Sequence, residues 1–486
     1  MPSFLCTPGP QKSTLLGIVN DSALVQGKPL FCLALIACVT YANALFGAFH
    51  FDDVLTILEN PHLNWWDTFV GHLEHMVRPA LYATFLLDRS LYGNNPAGYH
   101  LLNLLLHLGS GFLFYRILTR AATEETQYIP FWAALLFLIH PITTETVTYI
   151  SGRASGLMAF FYLLAFFYYV KVSDQRDNGN VRRLYLSGAI AAYLLSLGSK
   201  ETAITFPLVL LLWDVLIRRL RGSSLRAAIL SSHLPFWIVL LVAAGWAWSH
   251  PRYSDLARFS LQLRPLWDNF LSQAHAITYA LLLFFCPWKQ NFDHDLPEFH
   301  SMFQWPLPLD LLLLFGAIIG ALVAMRRLPL VAFGTGWFFF QFLPTSLIPR
   351  VDLLSERNLY LASIGLVLAI VVLCSHLMQW LTKVLPQPQS VRFGANSVAL
   401  GLVLLLCFFT YQRNFLYRDQ VSLWSDTVQK SPNKARPHNN LGHAYALQGD
   451  WDQAIEEFRI AARLDPDYAL AQNNLRAAYL HQVGRQ

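Results

Sequence analysis

The stretch from Pro29 to Asp53, PLFCLALIACVTYANALFGAFHFDD, decides how this chain is read. Its first part, Pro29 to Phe49, is a single apolar run of the length that crosses a hydrocarbon core, about 20 residues. It ends on two adjacent carboxylates, Asp52 and Asp53. Charges at the mouth of a membrane helix are costly unless they face water or a partner, so the pair marks a wet site at a membrane surface.

The rest of the chain has the same character. Of 486 residues 55% are hydrophobic and 13% charged, and the mean hydropathy is +0.38. A soluble domain spreads far more charge over its surface, so this is an integral membrane protein. The net charge of +5 is modest and gives no ground for a nucleic-acid partner. The six cysteines, Cys6, Cys32, Cys38, Cys286, Cys374 and Cys407, are scattered among apolar runs and read as small buried hydrophobes.

Spans are expected at about 29–49, 99–118, 129–148, 154–172, 184–199, 203–218, 232–249, 308–325, 330–348, 359–381 and 395–412. With residues 1–28 as a cytoplasmic tail, Arg116, Arg120, Lys171, Arg176, Arg182, Arg183, Arg218, Arg219, Arg221, Arg226, Arg326, Arg327, Lys383 and Arg392 all fall on the inner side. That is a positive-inside pattern. It requires 250–306 to begin and end outside, so 266–286, interrupted by Asp268, Gln273 and His275, is expected as a re-entrant or interfacial segment. The membrane domain is then 29–413, with eleven spans and a long outer loop, 50–98, whose tryptophans Trp65 and Trp66 suit the headgroup layer. The sequon Asn20-Asp21-Ser22 would be idle in a cytoplasmic tail.

Residues 414–486 are different in kind. Pro432 and Pro466 stand 34 residues apart, and the same offset relates Trp424 to Phe458, Leu441 to Leu475 and Tyr445 to Tyr479. With Gly442, Gly449, Ala454 and Ala461 these match the tetratricopeptide template. One full repeat is expected, flanked by a preceding second helix and a following first helix. Three or more repeats usually make an independent solenoid, so this tail is expected to lean on the membrane domain or on a protein partner.

The expected topology gathers the unusual polar residues at the outer face. One of Asp52 and Asp53 suits a general base toward a hydroxyl; the alternative is a helix cap paired with Arg78. Glu145, Tyr149 and Arg153 recur at i, i+4 and i+8 on one helical face. There they either orient a phosphate and a sugar or hold a turn between spans. Lys200, in Gly198-Ser199-Lys200-Glu201-Thr202, is either a fixed charge for a lipid-linked phosphate or a snorkelling lysine. Of the stripe His100, Asn103 and His107, His100 is near enough to the outer end to reach a substrate, while His107 suits interhelical bonding. Glu356 and Arg357 are a second anion contact or an interfacial anchor. Asn291-Phe292-Asp293-His294-Asp295 invites a divalent metal, although its spacing fits no specific ligand pattern.

Together these runs resemble the transmembrane and tetratricopeptide-repeat-containing O-mannosyltransferases and their prokaryotic relatives. The matching runs are Phe51-Asp52-Asp53 with Asn60-Pro61, Arg78-Pro79, the His100 to His107 stripe, His140-Pro141 with Glu145, and Ser151-Gly152-Arg153. Ser199-Lys200-Glu201-Thr202-Ala203 and Glu356-Arg357-Asn358-Leu359-Tyr360-Leu361 complete the set, which extends from about residue 45 to the end. The resemblance implies an all-α polytopic protein of the GT-C class. It implies inverting transfer of a sugar, mannose first among them, from a polyprenyl-phosphate donor to a hydroxyl of a protein or glycan. Asp52 or Asp53 is then the base, without a choice between them. On physical grounds, and not from the resemblance, His140, Arg153, Lys200 and Arg357 are the candidates for the lipid phosphate, and Glu145 is a second acid near the sugar. Arg78, His100, Tyr149, Glu201 and Glu356 would line the cavity, with no metal ligand assigned. Animal members carry many more repeats, which favours a bacterial inner membrane with a periplasmic site, and the endoplasmic reticulum second. A transporter would instead place ionisable groups near mid-span, and an inactive scaffold would need only the repeats.

Overall fold

The computed structural model describes residues 21–174 and 178–483, and among them there is no strand. Residues 1–20 of the expected cytoplasmic tail, with Cys6, Lys12 and the sequon residue Asn20, lie outside the described residues, as does Arg176.

Among the described residues seven helices are long and apolar enough to cross a membrane, and an eighth unit is a bent pair. That pair is the stretch expected as one span at 129–148. The Glu124–Ile139 and Pro141–Thr148 segments meet at 56°, because Pro141 has no N–H to continue the ladder and its ring crowds the preceding turn. Three other expected spans fall outside the set. The apolar helix at the start is Gly27–Thr40, after which a tight turn, Ala42–Phe46, leads into extended chain. Phe206–Leu216 is 11 residues long, and Gly179–Leu197 opens on polar residues. The 266–286 segment is an unbroken helix, Leu266–Phe285. Its polar residues are spent on neighbours: the Asn269 amide donates to Thr345 O (3.2 Å) and Ser346 O (2.9 Å), and the Gln273 amide to Leu353 O (2.8 Å).

One of the most extensive helix pairings of the bundle is between Pro329–Leu347 and Leu359–Val384. Gly334 and Gly365 face each other there, and a Cβ on Gly334 would meet Gly365 O at 2.4 Å. Only glycine lets the backbones approach so closely. Trp337 Nε1 donates to Leu361 O at 2.7 Å across the same seam. This tight pairing places the intervening loop, 348–358, at one end of the bundle. Loop 50–98 folds over that end as short helices followed by the 14-residue helix Pro79–Tyr92. They close on their own core of Ile57, Leu63, Phe69, Leu81, Phe85 and Tyr99. Trp65 and Trp66 remain exposed.

Among the described residues the tail has four helices, Gln420–Lys430, Ala435–Gln448, Trp451–Leu464 and Ala469–Val483. Gly442 lies against the Phe458 ring, where a Cβ would fall at 2.8 Å. The tail does lean on the bundle. Phe292 packs edge-on against Trp424, Asn291 donates to Ser431 Oγ (2.8 Å), and Lys430 donates to Gln290 O (2.7 Å).

Candidate active site

Loops 50–56, 198–201 and 349–358 meet the first turns of the Pro79–Tyr92 and Arg153–Asp174 helices around a cleft of about 290 Å³. Asp52, Arg78, Lys200, Arg350, Asp352 and Arg357 line it, with Thr56, Ser151, Ser155, Ser355 and Asn358, and its apolar wall includes Leu81, Tyr82 and Phe85.

The two aspartates part company here. Asp52 and Asp53 open a helical turn, in which successive side chains leave about 100° apart, and the positive φ of 43° at Phe51 sets the bend that precedes them. Asp53 is fully buried. It accepts hydrogen bonds from the His50 N–H (2.9 Å), the Ser151 N–H (2.8 Å) and the Ser151 hydroxyl. Asp52 faces the cleft with its side chain 43% exposed, 3.8 Å from the Arg357 guanidinium. Its own N–H donates to the Tyr149 hydroxyl (3.1 Å), which fixes the backbone but leaves the carboxylate open.

Burial raises the Asp53 carboxyl to about 7, against the pull of its three donors and helped by the Asp52 charge. In the unfolded chain it would titrate near 3.8. Between those values the folded protein keeps a proton that the unfolded chain releases, so this group's contribution to stability falls as pH rises from about 4 to about 7. Melting curves in lipid nanodiscs across that window are expected to show the decline in the wild type. Asp53→Asn removes that share of it, and an unaltered pH slope in the variant would contradict this.

The cations of the cleft differ in what they already hold. Arg78, in a left-handed conformation at the start of its helix, grips Glu201 with both Nε (2.9 Å) and Nη2 (2.7 Å). Arg350 approaches the same carboxylate at 3.5 Å. Although burial opposes it, these two arginines keep Glu201 well below the usual carboxylate range. Arg357 pairs with Glu145 at 2.8 Å and lies over the Tyr149 ring. Lys200 is buried, and its Nζ donates only to neutral oxygens, Ser155 Oγ (2.8 Å) and Asn358 Oδ1 (2.9 Å). Among the described residues no carboxylate lies within ion-pair distance of it. Burial first, and then Arg350, Arg78 and Arg357, push the Lys200 ammonium well below its ordinary value. An anion in the cleft would supply the negative charge it lacks.

Of the sequence candidates, Asp52, Arg78, Lys200 and Arg357 line the cleft. Glu145, Tyr149 and Glu201 support them from behind through the contacts just described. Four others turn away. Arg153 is fully buried against Asp88 (2.6 Å) and donates to Asn103 Oδ1 (2.7 Å), Tyr99 O (2.9 Å) and Thr84 Oγ1 (3.3 Å). The His140 ring stacks on Phe284 at 4.2 Å and accepts the Ile142 N–H. The His100 ring donates to Gly47 O (3.1 Å). Glu356 is buried and accepts from Gln290, the Asn291 N–H and His294. The run 291–295 forms no ligand cluster, and among the described residues no group of three His, Cys, Asp or Glu is placed to hold a metal. Its Asp293 pairs instead with Lys434 and Arg436 of the tail. Arg350, which also lines the cleft, is not among the sequence candidates. The signal was present: under the expected topology it is an arginine at an outer span end, where arginine is depleted.

Comparison with known proteins agrees with the motifs. A family model for the TPR repeat matches residues 442–483. Protein O-mannosyl-transferase TMTC1 of Homo sapiens is 28% identical over 96% of this chain and 58% of its own length. Protein O-mannosyl-transferase F38B6.6 of Caenorhabditis elegans is 26% identical over 95% of this chain and 66% of its own. Protein O-mannosyl-transferase Tmtc3 of Drosophila melanogaster is 26% identical over 90% and 55%. The chain thus spans between about half and two thirds of the length of these relatives. A solved structure, ArnT from Cupriavidus metallidurans bound to undecaprenyl phosphate, aligns with 95% of this chain and 78% of its own at 14% identity and a TM-score of 0.41. Over nearly its whole length the chain is similar to protein O-mannosyltransferases, the resemblance that its motifs carry.

Proposed function

We propose that the chain is a membrane glycosyltransferase of the GT-C class that moves a sugar, mannose first among the candidates, from a polyprenyl phosphate to a hydroxyl of a protein acceptor. The observation that carries this reading is the composition of the cleft. One open carboxylate, Asp52, faces a cation-rich wall in which Lys200 has no carboxylate partner among the described residues. The relatives named above support the same chemistry.

In this reading Asp52 takes the proton of the acceptor hydroxyl as its oxygen attacks the anomeric carbon from the side opposite the phosphate. The bond between that carbon and the phosphate oxygen breaks, its electron pair stays on the phosphate, and the configuration inverts. Lys200, Arg350 and Arg357 stabilise the charge that grows on the leaving phosphate. Arg78 and Glu201 hold that wall in shape, and Glu145 orients Arg357. The lipid-phosphate role thus passes from His140 and Arg153, which face the interior, to Arg350.

The ionisable groups favour this reading over a transporter, because they gather at one end of the bundle instead of mid-span. They also favour a site on the non-cytoplasmic face. The helix that begins at Arg153 beside the cleft carries Lys171 near its far end. The helix that follows Arg357 carries Lys383 there. In a bacterial inner membrane the cleft would be periplasmic, and in the endoplasmic reticulum lumenal.

The test is transfer by the full chain in nanodiscs, with a panel of polyprenyl-phosphate sugars, Ser/Thr peptides and mass spectrometry of the products. Transfer from at least one donor is expected, and none from any donor overturns the proposal. Lys200→Gln is expected to raise the donor KM by about 10- to 100-fold, the worth of one charge-assisted hydrogen bond. An unchanged KM would remove Lys200 from the phosphate site.

A further inference from the structure

We propose that Arg436, on the first helix of the full tetratricopeptide repeat, is a positioning residue for the cleft, holding Asp352 away from the phosphate-binding cations. The tail is then part of the active site. The inference rests on the reading of the cleft given above.

Asp352 lines the cleft two residues after Arg350 and five before Arg357. Its carboxylate is nevertheless spent on the tail. Arg436 Nη2 reaches it at 2.6 Å and Lys434 Nζ at 3.3 Å. The same guanidinium grips Asp293 through Nε (2.6 Å) and Nη2 (2.5 Å), so one arginine fork joins two acids from separate loops of the membrane domain. Asp293 is almost fully buried and keeps Lys434 at 2.6 Å if Arg436 is lost. Asp352 is one-third exposed and is left with only the longer lysine contact. A carboxylate released beside Arg350, Arg357 and Lys200 would neutralise the charge that an incoming phosphate requires.

A second set of contacts joins the tail to the catalytic turn. Trp424 of the tail and Phe292 of the membrane domain hold the Phe51 ring edge-on at 5.7 and 6.2 Å, and Arg436 of the tail approaches the same ring at 6.0 Å. The Ala48 N–H and the His50 ring both donate to Tyr417 O, at 3.1 and 2.8 Å. Asp52 follows directly on Phe51, so the strained turn that aims it is braced from the tail.

The experiment uses the full chain in nanodiscs with two readouts. The first is hydrogen exchange by mass spectrometry. Arg436→Gln is expected to speed exchange in peptides covering 48–56 and 350–358 while leaving 153–173 unchanged. The second is affinity for farnesyl phosphate, a short polyprenyl phosphate that needs no turnover. Arg436→Gln is expected to weaken it about tenfold, the scale of one charge-assisted contact. Adding Asp352→Asn is expected to restore it, because the competing charge is then gone. A merely structural role for Arg436 would not be rescued in this way. Unchanged exchange in both segments, an unchanged affinity, or a double variant no better than Arg436→Gln overturns the proposal. If the wild type binds no farnesyl phosphate, the phosphate reading of the cleft fails, and the exchange result alone decides whether the tail braces the site.

Discussion

Asp52→Asn is expected to slow sugar transfer by about 10²- to 10⁴-fold, the range for removing a general base. Donor binding and thermal stability should stay near those of the wild type. The carboxylate is half exposed, and its contact with Arg357, at 3.8 Å, is loose. A pair of that kind contributes little to folding. The neighbouring change behaves differently. Above about pH 7, where Asp53 is ionised, the amide N–H₂ of Asp53→Asn must face a donor that the carboxylate accepted, either His50 N–H or the Ser151 pair. An unsatisfied buried group costs about 1–3 kcal/mol, so this variant should melt lower. Any activity it loses should come with altered exchange at 50–56. The two variants, equivalent by sequence, are thus separated by which quantity moves. Full activity in Asp52→Asn with unaltered folding would remove the base from the proposed mechanism.

That separation shows what could be read before the fold was known. The adjacent acids, Arg78, Lys200 and Arg357 could be assigned to one end of the bundle because apolar run lengths and the Lys/Arg bias determine where each helix stops. Those rules say nothing about the direction in which a side chain leaves the helix. His140 and Glu356 share that end with Arg357, yet one is turned onto Phe284 and the other onto the 290–294 loop. The i, i+4, i+8 pattern of Glu145, Tyr149 and Arg153 presumed one continuous helix. The chain breaks between Thr148 and Arg153, so Glu145 and Arg153 serve different partners. Arg350 belongs to none of the motifs, and only its position at an outer span end sets it apart. Its place at the cleft follows from the crossing at Gly334 and Gly365, the contact between the two helices that flank its loop.

Arg153 provides the strongest test of folding against binding. As a contact to the donor phosphate, its loss would raise the donor KM and spare the fold. Its geometry predicts the reverse. The guanidinium is fully buried, with Phe85 over it at 4.7 Å, and it spends its donors on Asp88, Asn103, Tyr99 and Thr84. Arg153→Met leaves the Asp88 carboxylate buried without its counter-charge, and breaking such a pair from one side costs about 3–5 kcal/mol. The Pro79–Tyr92 helix, which forms one wall of the cleft, loses its anchor at the same time. Low yield and a markedly lowered melting temperature are therefore expected, read by size-exclusion chromatography after a heat ramp. Replacing both partners, as Arg153→Met with Asp88→Leu, removes the orphaned charge and should recover part of the stability, since apolar substitutes for a buried pair are often neutral. A phosphate-binding arginine would respond in the opposite order. The single variant would stay folded with a raised donor KM, and the Asp88 change would repair nothing.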